Sequence, residues 1–465
     1  MTEYKLLIGG QLVAGADQMD VIDPATGAPF AQAPVASDEQ LDQAVAAASA
    51  AFGPWSARPL SERQALLATF ADRIEAEAPR IARLLTQEQG KPLAQALFEV
   101  EATVRGIRYF ASSPLEDEVR PHSGGEYTLR RVPLGVVACI VPWNFPLVLA
   151  SNKYGAALLA GNTVILKPAP TTPLTSLELG RIAADVFPAG VFNVLSDEGD
   201  LGPALTAHPA IAKIAFTGST PTGKRVMAGA ADTLKRVTLE LGGNDAALVL
   251  ADADLDAAIA GLTFTALLNA GQICVAPKRI YVHASIYDRF CDGAAAMAGA
   301  MLQGPGLDAD VQIGPVQNRA QFDKLRDYLA IAHRDGRVLC GGQAADRTGY
   351  FIQPTVVRDL TDASPLVAEE QFGPIMPILS FEDEEDALRR ANASPFGLGG
   401  SVWSRDTDRA RALAWRMQAG MVWVNQHLAV GPDIPFAGAK ASGTGVETGP
   451  EGIEEFTRVQ VLIPA

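Results

Sequence analysis

Cysteine is scarce in this chain: 465 residues carry four, at Cys139, Cys274, Cys291 and Cys340. No two of them form a C-x-x-C pair, which excludes a zinc ribbon or dithiol redox centre of that pattern. Such sparse cysteine predicts a reducing, cytoplasmic compartment. Histidine is nearly as rare, at His122, His208, His283, His333 and His427, and shows no H-E-x-x-H or other metal spacing. These histidines read as surface or structural residues, and no metal is expected. A basic excess is missing too: 38 Lys and Arg stand against 53 Asp and Glu, a net charge of −15. That charge is repelled by phosphate backbones and anionic membranes, so neither nucleic acid nor a membrane is expected as a partner. The longest apolar stretch, 134–166, is broken by Pro142, Asn144, Pro146, Asn152 and Lys153, which argues against a membrane span. The segment Met1-Thr2-Glu3-Tyr4-Lys5 has neither the charged nor the apolar region of a signal peptide.

What is present is ordinary for a globular protein, with 48% hydrophobic and 20% charged residues. The length predicts two or three domains. Ser37 with Gln40 reads as a capping box, followed by an apolar stripe of Leu41, Val45, Ala48 and Phe52. Ser61 with Gln64 repeats the signal, and that helical stretch is expected to stop at Gly90-Lys91-Pro92. From about residue 136 short apolar runs alternate with helical or loop stretches. The runs are 136–141, 163–167, 191–195, 211–217, 236–240 and 246–250. Buried parallel strands with helical crossovers have this pattern, which predicts an open α/β sheet with ligands at the carboxyl ends of its strands.

Four motifs could carry chemistry. Phe216-Thr217-Gly218-Ser219-Thr220-Pro221-Thr222-Gly223 ends one strand and opens a helix. It is either a phosphate site or a plain turn into a helix. Arg225 stands where a P-loop needs Ser or Thr, which excludes an NTPase. Gly271-Gln272-Ile273-Cys274 holds either a nucleophile or a small buried hydrophobe. Glu240-Leu241-Gly242-Gly243 places a carboxylate at a strand end, entering a cleft or facing water. Pro142-Trp143-Asn144-Phe145-Pro146 is a stiff loop whose Asn amide could serve an oxyanion or merely brace the structure.

Those motifs, together with Lys167-Pro168, Glu369-Glu370-Gln371-Phe372-Gly373-Pro374 and Pro435-Phe436-Ala437-Gly438, resemble the aldehyde dehydrogenase superfamily in their order along the whole chain. The resemblance implies an α/β fold with three parts. A Rossmann-like NAD(P)-binding domain would take 1–116 and 135–243, and an α/β catalytic domain 244–437. A small β bridging and oligomerisation element would take 117–134 and 438–465. It implies that Cys274 is the nucleophile and Glu240 the general base. Asn144, with the backbone N–H of Cys274, would form the oxyanion hole, and Lys153 would help to relay protons. Pro142, Trp143, Lys167, Gly218, Ser219, Leu241, Gly242, Glu370 and Phe372 would bind NAD, with NADP also possible. Phe145, Asn152, Val275, Val430 and Phe436 would line the substrate pocket, and a homodimer or homotetramer is implied.

Several positions depart from the family pattern. Pro170 replaces a Glu that binds ribose in many NAD-preferring relatives, while Asp197 replaces a glycine and brings an acid near the adenosine site. Asn244 and Asp245 replace a common Lys-Ser, and Ala437 replaces a Gly. Val446 replaces an Arg before the matching Glu447, and Pro450 stands at a second, relay glutamate. The loop 428–434 carries no cation, which predicts an uncharged aliphatic or aromatic aldehyde, subject to an arginine elsewhere such as Arg108. The competing readings are a CoA-acylating relative, a semialdehyde dehydrogenase, a cysteine hydrolase and a non-catalytic protein on the same fold.

Overall fold

The computed structural model describes residues 3–464. Met1, Thr2 and Ala465, the ends of the first and last expected domain ranges, lie outside the described residues. Five of the six apolar runs form the centre of one sheet. Phe192–Val194, Thr163–Lys167, Val136–Ile140, Ile211–Thr217 and Arg236–Glu240 lie side by side and parallel. Val136–Ile140 and Thr163–Lys167 are buried at every residue, so both faces of the sheet are covered. Leu6–Ile8 and Gln11–Val13 extend one edge antiparallel, and Gly443–Thr444 pairs with the other. The strand order reverses between Val136–Ile140 and Ile211–Thr217. Loops leaving the carboxyl ends of those two strands therefore diverge and open a crevice.

The sixth run belongs elsewhere. Asp245–Val249 is a central strand of a second sheet, whose order is Arg337–Cys340, Thr355–Arg358, Ile375–Phe381, Pro277–His283, Asp245–Val249, Gly399–Trp403 and Met421–Val424. All its neighbours are parallel except the first pair. Only the turn 241–244 separates the two sheets along the chain, so Glu240 ends one sheet where Asp245 begins the other. Apolar periodicity cannot register that change of sheet, because both strands are buried runs of the same length.

A third, antiparallel sheet joins Thr457–Leu462, Gly125–Pro133 and Glu118–His122. Thr457–Leu462 is an edge strand, and Val459, Val461 and Leu462 are exposed on it.

The N-terminal helices largely follow their sequence signals. Ser37 caps Asp38–Ser56 with both bonds of the capping box, and Leu41, Val45 and Ala48 are buried. Ser61 and Gln64 form no such box. Leu60–Ala76 begins behind Pro59, two residues before the start that a Ser61 cap would give, and Gln64 Nε2 instead donates to the Ser113 carbonyl at 2.9 Å. A break at Glu77 separates that helix from Ala78–Gln89, which stops at Gly90 with φ +97°. Only glycine adopts that conformation without strain. Among the described residues no helix is long and apolar enough to cross a membrane.

Candidate active site

Glu240 reaches the site because it is the last residue of a parallel strand whose final three residues are buried. It is 4% exposed. Burial pushes its carboxyl up to about 8, and the nearby Glu447 charge adds to this while Lys153 opposes it. The Cys274 thiol lies against this carboxyl, and each shifts the other's ionisation. The thiol is raised well above its ordinary value, first by burial and then by the Glu240 charge. Apart from this thiol, no group among the described residues hydrogen-bonds either carboxylate oxygen of Glu240. The pair thus places a thiol and a carboxyl where a proton can pass between them.

Cys274 sits just past a strained turn. Asn269, Ala270 and Gly271 have φ of +52°, +55° and +69° in succession. Strain of this kind persists only where the surroundings enforce it. Here Gln272 Nε2 donates to the Asn269 carbonyl at 2.9 Å, and Gln272 Oε1 accepts from Gln317 N at 2.9 Å. Gly271 packs so closely on the Gly373 carbonyl that a Cβ would lie 2.1 Å from it. On the other side, a Cβ at Gly243 would lie 2.1 Å from the Cys274 carbonyl oxygen. Gly243→Ala is therefore expected to displace Cys274 and lower kcat by about 10–100-fold. Steady-state rates with a saturating aldehyde check this, and a wild-type kcat would contradict it.

Asn144 joins the pair from the loop after Val136–Ile140. Its Nδ2 donates to the Gln272 carbonyl at 3.0 Å, next to the nucleophile loop. Its own carbonyl accepts from Lys91 Nζ at 2.9 Å and Asn269 Nδ2 at 3.1 Å. Lys91 is buried, pairs with Glu99 and lies 3.8 Å from the centre of the Phe145 ring. Glu99 in turn accepts from Leu147 N at 3.0 Å, at the start of the helix Pro146–Leu159. The loop is thus pinned at both ends, and among the described residues the Asn144 amide donates only to the Gln272 carbonyl.

Lys153, on that helix, donates to Thr217 Oγ1 at 2.7 Å and pairs with Glu447. Both charges are buried. The Glu447 pairing is the one that sequence reasoning passed over in favour of Pro450.

Five of the nine residues expected to hold a cofactor gather at the carboxyl ends of three adjacent strands. Lys167 ends Thr163–Lys167, Pro142 and Trp143 follow Val136–Ile140, and Gly218 and Ser219 follow Ile211–Thr217. Ser219 caps the helix Thr220–Ala230. Gly218 N donates to the Glu240 carbonyl at 3.0 Å, tying this corner to the base. Trp143 and Phe372 meet edge to face at 5.4 Å, and Phe372 has a left-handed φ of +56°. Glu370 accepts from Gly243 N at 2.8 Å, and its carboxylate covers Gly242, where a Cβ would lie 2.5 Å away. Burial raises Glu370 to about 7. Leu241 is buried and Gly242 lies directly beneath the carboxylate. An open helix N-terminus, a half-buried aromatic pair and a carboxylate suited to ribose hydroxyls fit a dinucleotide in chemistry and order. Asp197 is not a free acid at the adenosine end: it forms a buried ion pair with Lys167.

Phe145, Val275 and Phe436 pack with Cys274, Leu268, Leu428 and Trp423 in one apolar cluster beside the nucleophile. Val430 is 50% exposed at its outer loop. Asn152 is half-buried, and its Oδ1 would lie 3.9 Å from a Cβ at Gly106. Arg108 does not enter this pocket. It is exposed and held by Asp72 and Glu75, which raise its pKa.

The sequence profile of the Aldehyde dehydrogenase family matches residues 12–462. The chain belongs to this family. It is 38% identical to a phenylacetaldehyde dehydrogenase of Pseudomonas fluorescens, over 99% of this chain and 96% of that one. An NAD+ complex of aldehyde dehydrogenase from Bacillus cereus superposes with a TM-score of 0.97 at 37% identity, covering 99% and 96% of the two chains. An NADP-dependent enzyme of E. coli superposes with a TM-score of 0.96 at 36% identity, covering 99% and 98%. Aldehyde dehydrogenases are oxidoreductases that act on aldehydes, and the three-part α/β architecture of this chain is theirs.

Proposed function

We propose that this aldehyde dehydrogenase oxidises an uncharged aliphatic or aromatic aldehyde to the free acid, with NAD as the preferred oxidant. The observation that carries this reading is the convergence of Cys274, Glu240 and Asn144 from three distant segments beside one apolar cluster. Glu240 takes the thiol proton, and the Cys274 thiolate adds to the aldehyde carbon. The new alkoxide is held by the free amide proton of Asn144 and the backbone N–H of Cys274. Bound NAD would supply the hydride acceptor that turns this thiohemiacetal into a thioester. Glu240 passes the thiol proton to solvent, then takes a proton from water as the water attacks the thioester carbon; the C–S bond breaks to release the acid, and the departing thiolate recovers a proton from Glu240. Lys153, paired with Glu447, sets the field at Glu240 and connects it to Thr217.

Lys167, Ser219, Gly218, Pro142, Trp143, Leu241, Gly242, Glu370 and Phe372 would hold the dinucleotide. The NAD preference rests on Asp197. A 2′-phosphate near Lys167 would meet the carboxylate that already neutralises that lysine. Pro170 removes a second acid from this corner and so keeps NADP usable. The uncharged substrate rests on a pocket of Phe145, Asn152, Val275, Val430 and Phe436, with Arg108 committed to Asp72 and Glu75.

We assign 1–116 and 135–243 to the cofactor domain, 244–437 to the catalytic domain, and 117–134 with 438–465 to a bridging element. The edge strand Thr457–Leu462, with its exposed Val459, Val461 and Leu462, favours a homodimer or homotetramer. Four free cysteines suit a cytoplasmic setting.

Reduced-cofactor absorbance with a panel of aldehydes tests the reading, run with NAD and NADP, with and without CoA. NAD reduction yielding a free acid without CoA is expected, fastest with arylacetaldehydes and medium-chain aldehydes. Reduction only with CoA, or only with carboxylated semialdehydes, would overturn it.

A further inference from the structure

His427 is the one histidine of the five drawn into the catalytic region. It follows the strand Met421–Val424, between the left-handed residues Asn425 (φ +54°) and Leu428 (φ +69°). Its side chain is fully buried. Nε2 lies 2.9 Å from the Val275 carbonyl oxygen and 3.4 Å from Asp245 Oδ2. Nδ1 lies 2.9 Å from Ser401 Oγ, which accepts from Trp403 Nε1 at 3.0 Å. Both groups facing Nε2 are acceptors, so the geometry assigns Nε2 a proton. Trp403 can only donate, which leaves the Ser401 hydroxyl proton free for Nδ1. Asp245 is itself fixed, because Oδ1 accepts from Gly399 N at 2.9 Å. A Cβ at Gly399 would lie 2.2 Å from Asp245 Oδ2, so only glycine leaves room for the carboxylate.

We propose that His427, oriented by Asp245 and Ser401, is a positioning residue for Cys274. The proposal rests on Cys274 being the nucleophile. The turn 241–244 carries Glu240 at one end and Asp245 at the other. At Gly243 this turn packs directly on the Cys274 carbonyl. Two residues later Asp245 reaches, through His427, the carbonyl of Val275. The base-bearing turn and the nucleophile loop are thereby fastened at two successive points, one of contact and one of hydrogen bonding. Without the second, the Val275 carbonyl loses its side-chain anchor, and the Ile273–Ala276 turn, closed by Ala276 N donating to the Ile273 carbonyl at 3.1 Å, can shift as a unit and carry the thiol away from Glu240. Gln272 and Asn144 secure the loop only on its upstream side. A buried polar network with its partners in place specifies one geometry, which an apolar filling would not do.

Three variants test this. His427→Phe keeps a ring against Trp423, whose centroid lies 4.8 Å away, but loses the Nε2 donor. His427→Gln returns an N–H donor. His427→Phe is expected to lower kcat by about 10–100-fold, leaving aldehyde KM and NAD affinity near wild type, and His427→Gln to recover most of kcat. Wild-type kcat in His427→Phe, or equal losses in Phe and Gln variants that track a lowered Tm, would overturn the proposal. Should His427→Phe fail to fold, Ser401→Ala keeps the ring and removes its Nδ1 partner; a several-fold drop in kcat at unchanged KM supports the proposal, and an unchanged kcat overturns it. Stoichiometric iodoacetamide labelling of wild-type Cys274, followed by mass, tests the nucleophile separately. Activity surviving that label removes both readings. Inactivation by the label together with an active His427→Phe removes only the positioning role.

Discussion

Cys274→Ala is expected to lower aldehyde oxidation by about 10³-fold or more, because no other group can form the covalent adduct. The other three cysteines are no substitute: Cys139 and Cys291 are buried in hydrophobic cores, and Cys340 hydrogen-bonds the Pro354 carbonyl at 3.7 Å. The change removes one sulfur from a half-buried position and leaves Lys167, Ser219 and Glu370 untouched. Cofactor affinity measured by calorimetry should therefore stay near that of the wild type. Retained oxidation would mean that the attacking group is elsewhere. A joint loss of binding and activity would mean that the substitution disturbs the loop.

Glu240→Gln is expected to lower kcat by about 10²–10³-fold. Gln preserves the shape of the side chain but cannot take a proton from thiol or water. Attack retains some rate because the Cys274 thiol can lose its proton to solvent, whereas hydrolysis of the thioester loses its base. A burst of reduced cofactor, close to one per site, should precede a slow steady state. The pH profile gives a second readout. Burial raises Glu240 to about 8, so the carboxylate is the minority form at neutral pH and the wild-type rate should climb towards that value. This acid limb should vanish in Glu240→Gln. Stability should respond with the opposite sign. A carboxyl whose folded pKa is raised stabilises the fold below its unfolded value of about 4.5, and that contribution is lost as pH rises through about 8. At pH 9 the Gln variant should melt no lower than the wild type. An unchanged deacylation rate would remove Glu240 as the base.

Much of this could be read from the chain itself. The runs 163–167, 211–217 and 236–240 form strands with those same limits, because buried parallel strands are short, continuous and closed by Gly, Pro or a charged residue. The Ser37 capping box is local and was legible for that reason. The Ser61 signal failed because Pro59 had already opened the helix, and a motif four residues long does not register that. In the site, Glu240 ends a strand, Asn144 lies in the loop after one, and Cys274 comes three residues after Gly271, but each signal alone has an ordinary structural explanation. Only their order along the chain separated the two readings. Partnerships were less legible than positions. Lys153 and Glu447 are 294 residues apart, and Asp245, His427 and Val275 come from three strand ends of the second sheet. Nothing periodic links such residues; they meet because of how the sheets pack. Asp197 shows the same limit, since its position was readable and its pairing with Lys167 was not.

The most direct test of covalent catalysis at Cys274 is intact-protein and peptide mass spectrometry of Glu240→Gln, quenched in acid after mixing with NAD and an aldehyde. The mechanism predicts one acyl group per chain, on the peptide that holds Cys274, and none when NAD is left out. A cofactor burst without an adduct, or an adduct on any other residue, would contradict it.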